Sequence, residues 1–179
     1  HCNLGVVRHA KGDLDAAARS YRTALRIDPA IPDAHNNLGH VLFNRGEARA
    51  ALERYRSALA LRPDFAEAHH NLGVALEHAG ELGGALACFE RAVELDPDFR
   101  DAHNHRGRVL AEQGELARAG RVLAELRARL EPSAVHDVDA VLGLVALWDR
   151  RFPLPDTASD ALRAIALLHR NPPDAAALD

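Results

Sequence analysis

The chain has 179 residues, of which 47% are hydrophobic, 27% charged and 4% aromatic, with a formal net charge of −4 and two cysteines. This balance describes one soluble globular unit and excludes a disordered tail and a disulfide scaffold. A net negative chain with few aromatics is a poor nucleic-acid binder, and the longest apolar run, Ala140 to Trp148, is about half of the ~20 residues a membrane span needs. No charged-then-apolar leader opens the chain, so no membrane partner and a cytoplasmic location are expected. The first residue is His1 and methionine is absent, which predicts a piece of a longer protein.

The elements fall into units that repeat every 34 residues. The first unit, about 1–29, carries Asn3-Leu4-Gly5, then Gly12, Ala17, Tyr21 and Pro29. The second, about 32–63, carries Asn37-Leu38-Gly39, Gly46, Ala51, Tyr55 and Pro63 in the same columns. The third, about 66–97, carries Asn71-Leu72-Gly73, Gly80, Ala85, Phe89 and Pro97. The fourth, about 100–131, keeps the step in weakened form with His105-Arg106-Gly107, Gly114, Ala119 and Leu123, but has Glu131 where the proline belongs.

Within a unit the apolar residues fall at helical spacing, as in Leu38, Val41 and Leu42, then Ala51, Leu52, Tyr55, Ala58 and Leu59. Each unit is therefore read as two helices. Gly46 marks the turn between them, because glycine accepts the positive φ that ends a helix, and Pro63 stops the second helix. Gly39 is expected to press against Ala51, with Tyr55 and Ala58 filling the joint to the next unit. Beyond the repeats, Ser133 to Arg150 and Asp156 to His169 read as amphipathic helices separated by Phe152-Pro153-Leu154-Pro155, with Thr157 and Asp160 resembling a capping box. Residues 132–170 are expected to be a degenerate pair covering the end of the stack, and 171–179 a loose tail.

These columns resemble the tetratricopeptide repeat: the Leu-Gly pair, the alanine of the second helix, the following Tyr or Phe, the next alanine and the closing proline. The resemblance covers residues 1 to about 131. It implies an all-α helix-turn-helix solenoid, a right-handed superhelix whose first helices line a concave groove. One column departs from the family: His1, His35, His69 and His103 stand where it prefers a bulky aromatic.

No glycine-flanked serine elbow, phosphate loop, dinucleotide motif or zinc-protease helix pair is present, so no catalytic centre and no cofactor are expected in this chain. Cys88 reads as a small buried hydrophobe, and Cys2 as a thiol near the groove. The histidine column cannot share a zinc across stacked helix pairs about 10 Å apart. His40, His70, His78 and His105 fall on first helices without ligand spacing, so no metal site is expected.

The sharper signal is asparagine. Asn3, Asn37 and Asn71 recur at one place on successive first helices, and an amide can pair with both the N–H and the C=O of a peptide unit. Extended chain advances about 3.3 Å per residue, so one asparagine per unit could hold roughly every third residue. Asn36, His40, Asn44, His70, Asn104, His105 and Arg108 are expected to face the same groove. The block Asp33-Ala34-His35-Asn36-Asn37-Leu38-Gly39 further resembles the repeats of O-GlcNAc transferases and of bacterial tetratricopeptide proteins with an appended glycosyltransferase or sulfotransferase domain. By that resemblance Asn3, Asn37 and Asn71 hold a substrate polypeptide by its backbone.

The leading expectation is thus a protein-interaction module for an extended polypeptide. The alternatives are the substrate-recruiting arm of a longer transferase, and a spacer or self-assembly element whose exposed ends stack on another copy. A clamp for a chaperone's terminal carboxylate needs cations where Cys2, Asn37, Glu67 and Asn71 stand, so tight binding of such acidic tails is not expected. The charges of second helices, such as Arg19, Arg22, Arg26, Glu90, Arg91 and Glu94, read as solvated face.

Overall fold

The computed structural model describes residues 2–129, and the expected helix pair at 132–170 and the tail at 171–179 lie outside them. The chain divides at Pro97 into two compact units. The first holds α1 (Cys2–Ala10), α2 (Leu14–Ile27), α3 (Pro32–Asn44), α4 (Ala48–Leu61), α5 (Ala66–His78) and α6 (Leu82–Leu95). The described part of the second is α7 (Arg100–Glu112) and α8 (Leu116–Arg129). All regular structure among the described residues is helical, in pairs that follow the 34-residue period.

Local chemistry sets each boundary. The Asp13 side chain caps α2 by accepting from the Ala16 N–H at 2.9 Å, and Pro32 opens α3, where a missing N–H costs nothing. At the turn after α3, Gly46 has φ +79°, its N–H reaches the Phe43 carbonyl at 2.9 Å, and the Glu47 N–H reaches the Leu42 carbonyl at 2.9 Å. This pair of bonds satisfies carbonyls that the helix end would orphan. The same two bonds recur after α1, α5 and α7. Second helices end differently: Arg62 closes α4 in extended conformation one residue before Pro63.

The helix pair is set by one close approach. A Cβ placed on Gly39 would lie 2.7 Å from the Tyr55 ring, and Gly5 against Tyr21 and Gly73 against Phe89 are the same. The neighbour of Gly39 is thus Tyr55 of its own unit, where the sequence pattern pointed to Ala51 and placed Tyr55 in the following joint. The ring is the longer reach, so it fills the space that the glycine leaves, while Ala51 and Ala58 are fully buried beside it. In the second unit Gly107 meets Leu123, an aliphatic side chain in the same column.

The histidine column also acquires a role. His35 Nε2 lies 3.0 Å from the Pro29 carbonyl, and His69 Nε2 lies 2.9 Å from that of Pro63. A carbonyl can only accept, so each ring carries its proton on Nε2 and ties the start of a first helix to the linker before it.

Replacing Gly39 by Ala forces methyl against ring and is expected to lower unfolding free energy by about 1–3 kcal/mol. Gly83, exposed in α6 with nothing within 4 Å of an added Cβ, makes the internal control. There, Gly83→Ala is expected to raise stability by about 0.5 kcal/mol through helix propensity. Urea denaturation of both variants checks the pair of signs.

Candidate functional site

In the first unit, the first helices α1, α3 and α5 neighbour one another and present the polar columns side by side. Asn36 is the centre of this layer and is 1% exposed. Its amide donates to Glu67 Oε1 at 3.2 Å, and its carbonyl accepts from Asn71 Nδ2 at 3.0 Å. Two α5 side chains are thereby fastened to one α3 side chain. Asn36 was expected on the open groove surface; it is instead a buried bridge, because its position turns towards the next first helix. Burying an amide is tolerable here because partners replace water on both sides.

Around this bridge the face is built from imidazoles and amides. His9 meets His40 edge-on with ring centres 4.9 Å apart, and Asn44 Nδ2 stands 3.5 Å from His9 Nε2, joining α1 to α3. Phe43 meets His78 edge-on at 5.6 Å, joining α3 to α5. His40 and Asn44 are exposed. Asn3 is exposed and Asn37 half-buried, and neither side chain is hydrogen-bonded among the described residues. His70 leans towards the Phe89 ring of α6, with ring centres 5.8 Å apart.

Asn104, His105 and Arg108 sit on α7 of the second unit. There the Arg108 guanidinium donates to His105 Nδ1 at 3.0 Å, which leaves the ring proton on Nε2. The Asn104 carbonyl oxygen is buried and makes no hydrogen bond among the described residues.

The electrostatics follow the packing. The side of the otherwise exposed His40 ring that packs against its neighbours is desolvated, which pushes the imidazole below its ordinary value; the nearby His9 adds to this, and Glu67 opposes both. Burial also raises the Cys2 thiol, reinforced by Asp33, and burial raises Cys88 despite Arg56. Both thiols are therefore held protonated and are poor nucleophiles. Asp33 itself pairs with Arg62 at 2.6 Å, and that guanidinium lies 4.5 Å over the Phe65 ring. No three His, Cys, Asp or Glu side chains converge as a metal site among the described residues. None of the described helices is long and apolar enough to cross a membrane.

The Glu67–Asn36–Asn71 chain was not legible as a chain of contacts, since Asn36 and Asn71 are 35 residues apart and belong to different columns. The stagger of α3 against α5 brings them together.

Asn36→Ala is expected to lower unfolding free energy by about 1–3 kcal/mol, because it removes a buried bridge. A double-mutant cycle with Asn71→Ala should show a coupling of at least about 0.5 kcal/mol, and additive effects would contradict the bridge. His40 supplies a pH prediction. Its folded-state value lies below its unfolded one, so the unfolded chain binds the proton more tightly and stability rises with pH. The contribution of neutral His40 is complete above about 6.5 and is lost as the pH falls through that value towards the folded one. Urea midpoints should therefore drop from about pH 7.5 to about pH 5.5, and drop less in His40→Gln.

Comparison with known proteins places these features in context. A family model described as TPR repeat matches residues 5–46, and one described as tetratricopeptide repeat matches 36–98 and 80–134. Among solved structures, MamA is similar at 24% identity over 93% of this chain and 95% of that one, with TM-score 0.76. YrrB, described as a TPR protein with an unusual peptide-binding site, is 22% identical over 94% and 86% of the two chains, with TM-score 0.72. The first TPR of Spaghetti (RPAP3), solved with the HSP90 peptide SRMEEVD, is 23% identical over 63% and 90%, with TM-score 0.62. At these identities the likeness is one of fold. No curated protein sequence matches the chain significantly.

Proposed function

Because the chain belongs to the tetratricopeptide-repeat family, we propose that it is a protein-interaction module whose first-helix face takes an extended polypeptide by its backbone. The carrying observation is the state of the asparagines. Asn71 is held in place by Asn36, which is itself held by Glu67, while its carbonyl oxygen and second N–H stay available among the described residues. Asn37, on the neighbouring helix, has its whole amide available among the described residues. An amide fixed before the ligand arrives loses little freedom on binding, which favours affinity. Asn3 extends the row onto α1. First helices about 10 Å apart match about three residues of extended chain per asparagine.

The rest of the face suits an uncharged backbone better than a charged ligand. Imidazoles of His9, His40 and His78 offer flat apolar sides with polar edges beside Phe43. A substrate-recruiting arm of a longer glycosyltransferase or sulfotransferase would use the same face and the same row of amides. Asn104, His105 and Arg108 give the second unit polar side chains of its own, with a more charged chemistry.

A peptide-array selection against the whole chain tests this reading. Selected peptides are expected to tolerate varied side chains and to bind at least about tenfold more weakly when backbone nitrogens are methylated, since each methyl removes a donor. The combined change Asn3→Ala, Asn37→Ala and Asn71→Ala should cause a comparable loss with helicity retained by circular dichroism. Unchanged binding in the folded triple variant would contradict it.

A further inference from the structure

A crevice of about 410 Å³ lies on another part of the first unit, between the second helices α2 and α4. Its apolar lining is Leu25, Ala50 and, from α3, Leu38 and Leu42. Its polar lining is Arg22 and Arg26 from α2 and Arg54 from α4, with no acidic residue. None of these three guanidinium groups is ion-paired or hydrogen-bonded among the described residues. Elsewhere in the unit arginines do find carboxylates: Arg45 pairs with Asp15 and Glu47, Arg62 with Asp33, and Arg91 with Glu94.

The repeat supplies its own control. One period on, Arg22, Arg26 and Arg54 correspond to Arg56, Ala60 and Cys88, so the next joint keeps one cation of three. That joint has related geometry, since Arg56 is close enough to Cys88 to act on its thiol. The cationic rim is therefore particular to the α2/α4 joint and not a consequence of the repeat pattern. Arg22 and Arg26 lie one helical turn apart on one wall, about 5–6 Å between Cβ atoms, and Arg54 stands on the other wall.

We propose that this crevice is a second binding site, for a short acidic segment of a partner protein that seats one apolar side chain on Leu38 and Leu42 and sets flanking carboxylates on Arg22, Arg26 and Arg54. Guanidinium groups bind carboxylates with paired, charge-assisted hydrogen bonds, and pockets of a few hundred Å³ with an apolar floor and few polar anchors are typical of ligand sites. Cations on both walls require several carboxylates carried on one backbone, which selects a peptide over a single-headed anion. The site does not depend on the asparagine row, which lies on the first helices.

Fluorescence anisotropy with the whole chain tests it. The probe is a labelled seven-residue peptide with a central leucine flanked by three glutamates on each side. Saturable binding is expected, weakened by added salt and about tenfold or more by exchanging the leucine for serine or the glutamates for glutamine. The charge reversals Arg26→Glu and Arg54→Glu, at surface positions, should together remove binding while helicity is kept. Arg56→Glu, in the next joint, and Asn71→Ala, in the polar face, should each leave it within about twofold. Equal binding by the Arg26→Glu/Arg54→Glu protein, or no saturable binding of the peptide, would overturn the proposal. So would dodecanoate binding without peptide binding, or peptide-independent self-association abolished by the same reversals, since each assigns the crevice to another occupant.

Discussion

One contact governs the unit: a second-helix ring lying where the first helix has no side chain. Gly5 under Tyr21, Gly39 under Tyr55 and Gly73 under Phe89 repeat it three times in the first unit, and a methyl at any of the three glycines would stand within 3 Å of the ring. A ring that close fixes both the separation of the two helices and the rotation of the first about its axis. Leu38 and Leu42 then point into the packed interior, and Asn37 and His40 are turned towards the outside of the helix. The polar face is a consequence of that rotation. Asn36 and Asn37 are set by the glycine two or three residues on, as much as by their own chemistry.

Polar bonds between helices do the next part. Glu67, Asn36 and Asn71 form a hydrogen-bonded chain from α5 to α3 and back, with Asn36 buried at its centre, while His35 and His69 fasten linker carbonyls. Such contacts contribute modest net stability, and at Asn36 they make misplacement costly, because a broken bond there leaves a buried amide unsatisfied. The repeated histidine and the asparagines thus hold the spacing of neighbouring first helices that an elongated ligand would have to match. Polar groups tied down by one another are also better prepared for binding than free surface side chains.

The helix pairs were legible because their determinants are local. Gly46 needs positive φ, Pro63 forbids helix continuation, and the apolar spacing between them admits one reading. Which residues touch was less legible. Tyr55 reaches Gly39 and not the next joint, because side-chain length decides it and spacing does not. Asn36 reads as groove surface in its own helix and becomes buried only through the stagger with α5. The role of His35 depends on the path of the linker six residues before it, and the Arg22, Arg26 and Arg54 crevice needs three helices to exist. Periodicity describes a unit, whereas these contacts belong to the joints between units.

The central claim, that the first-helix face of the first unit receives a polypeptide backbone, is tested most directly by nuclear magnetic resonance. An uncharged peptide selected for binding would be titrated into the isotopically labelled chain while the side-chain amides are followed. The account predicts that the Asn37 and Asn71 amide signals shift most, with backbone shifts along α1, α3 and α5, whereas Asn36, already bonded on both sides, shifts little. Saturation of the peptide with those amides unmoved, or with shifts confined to α2, α4 and α6, would contradict it.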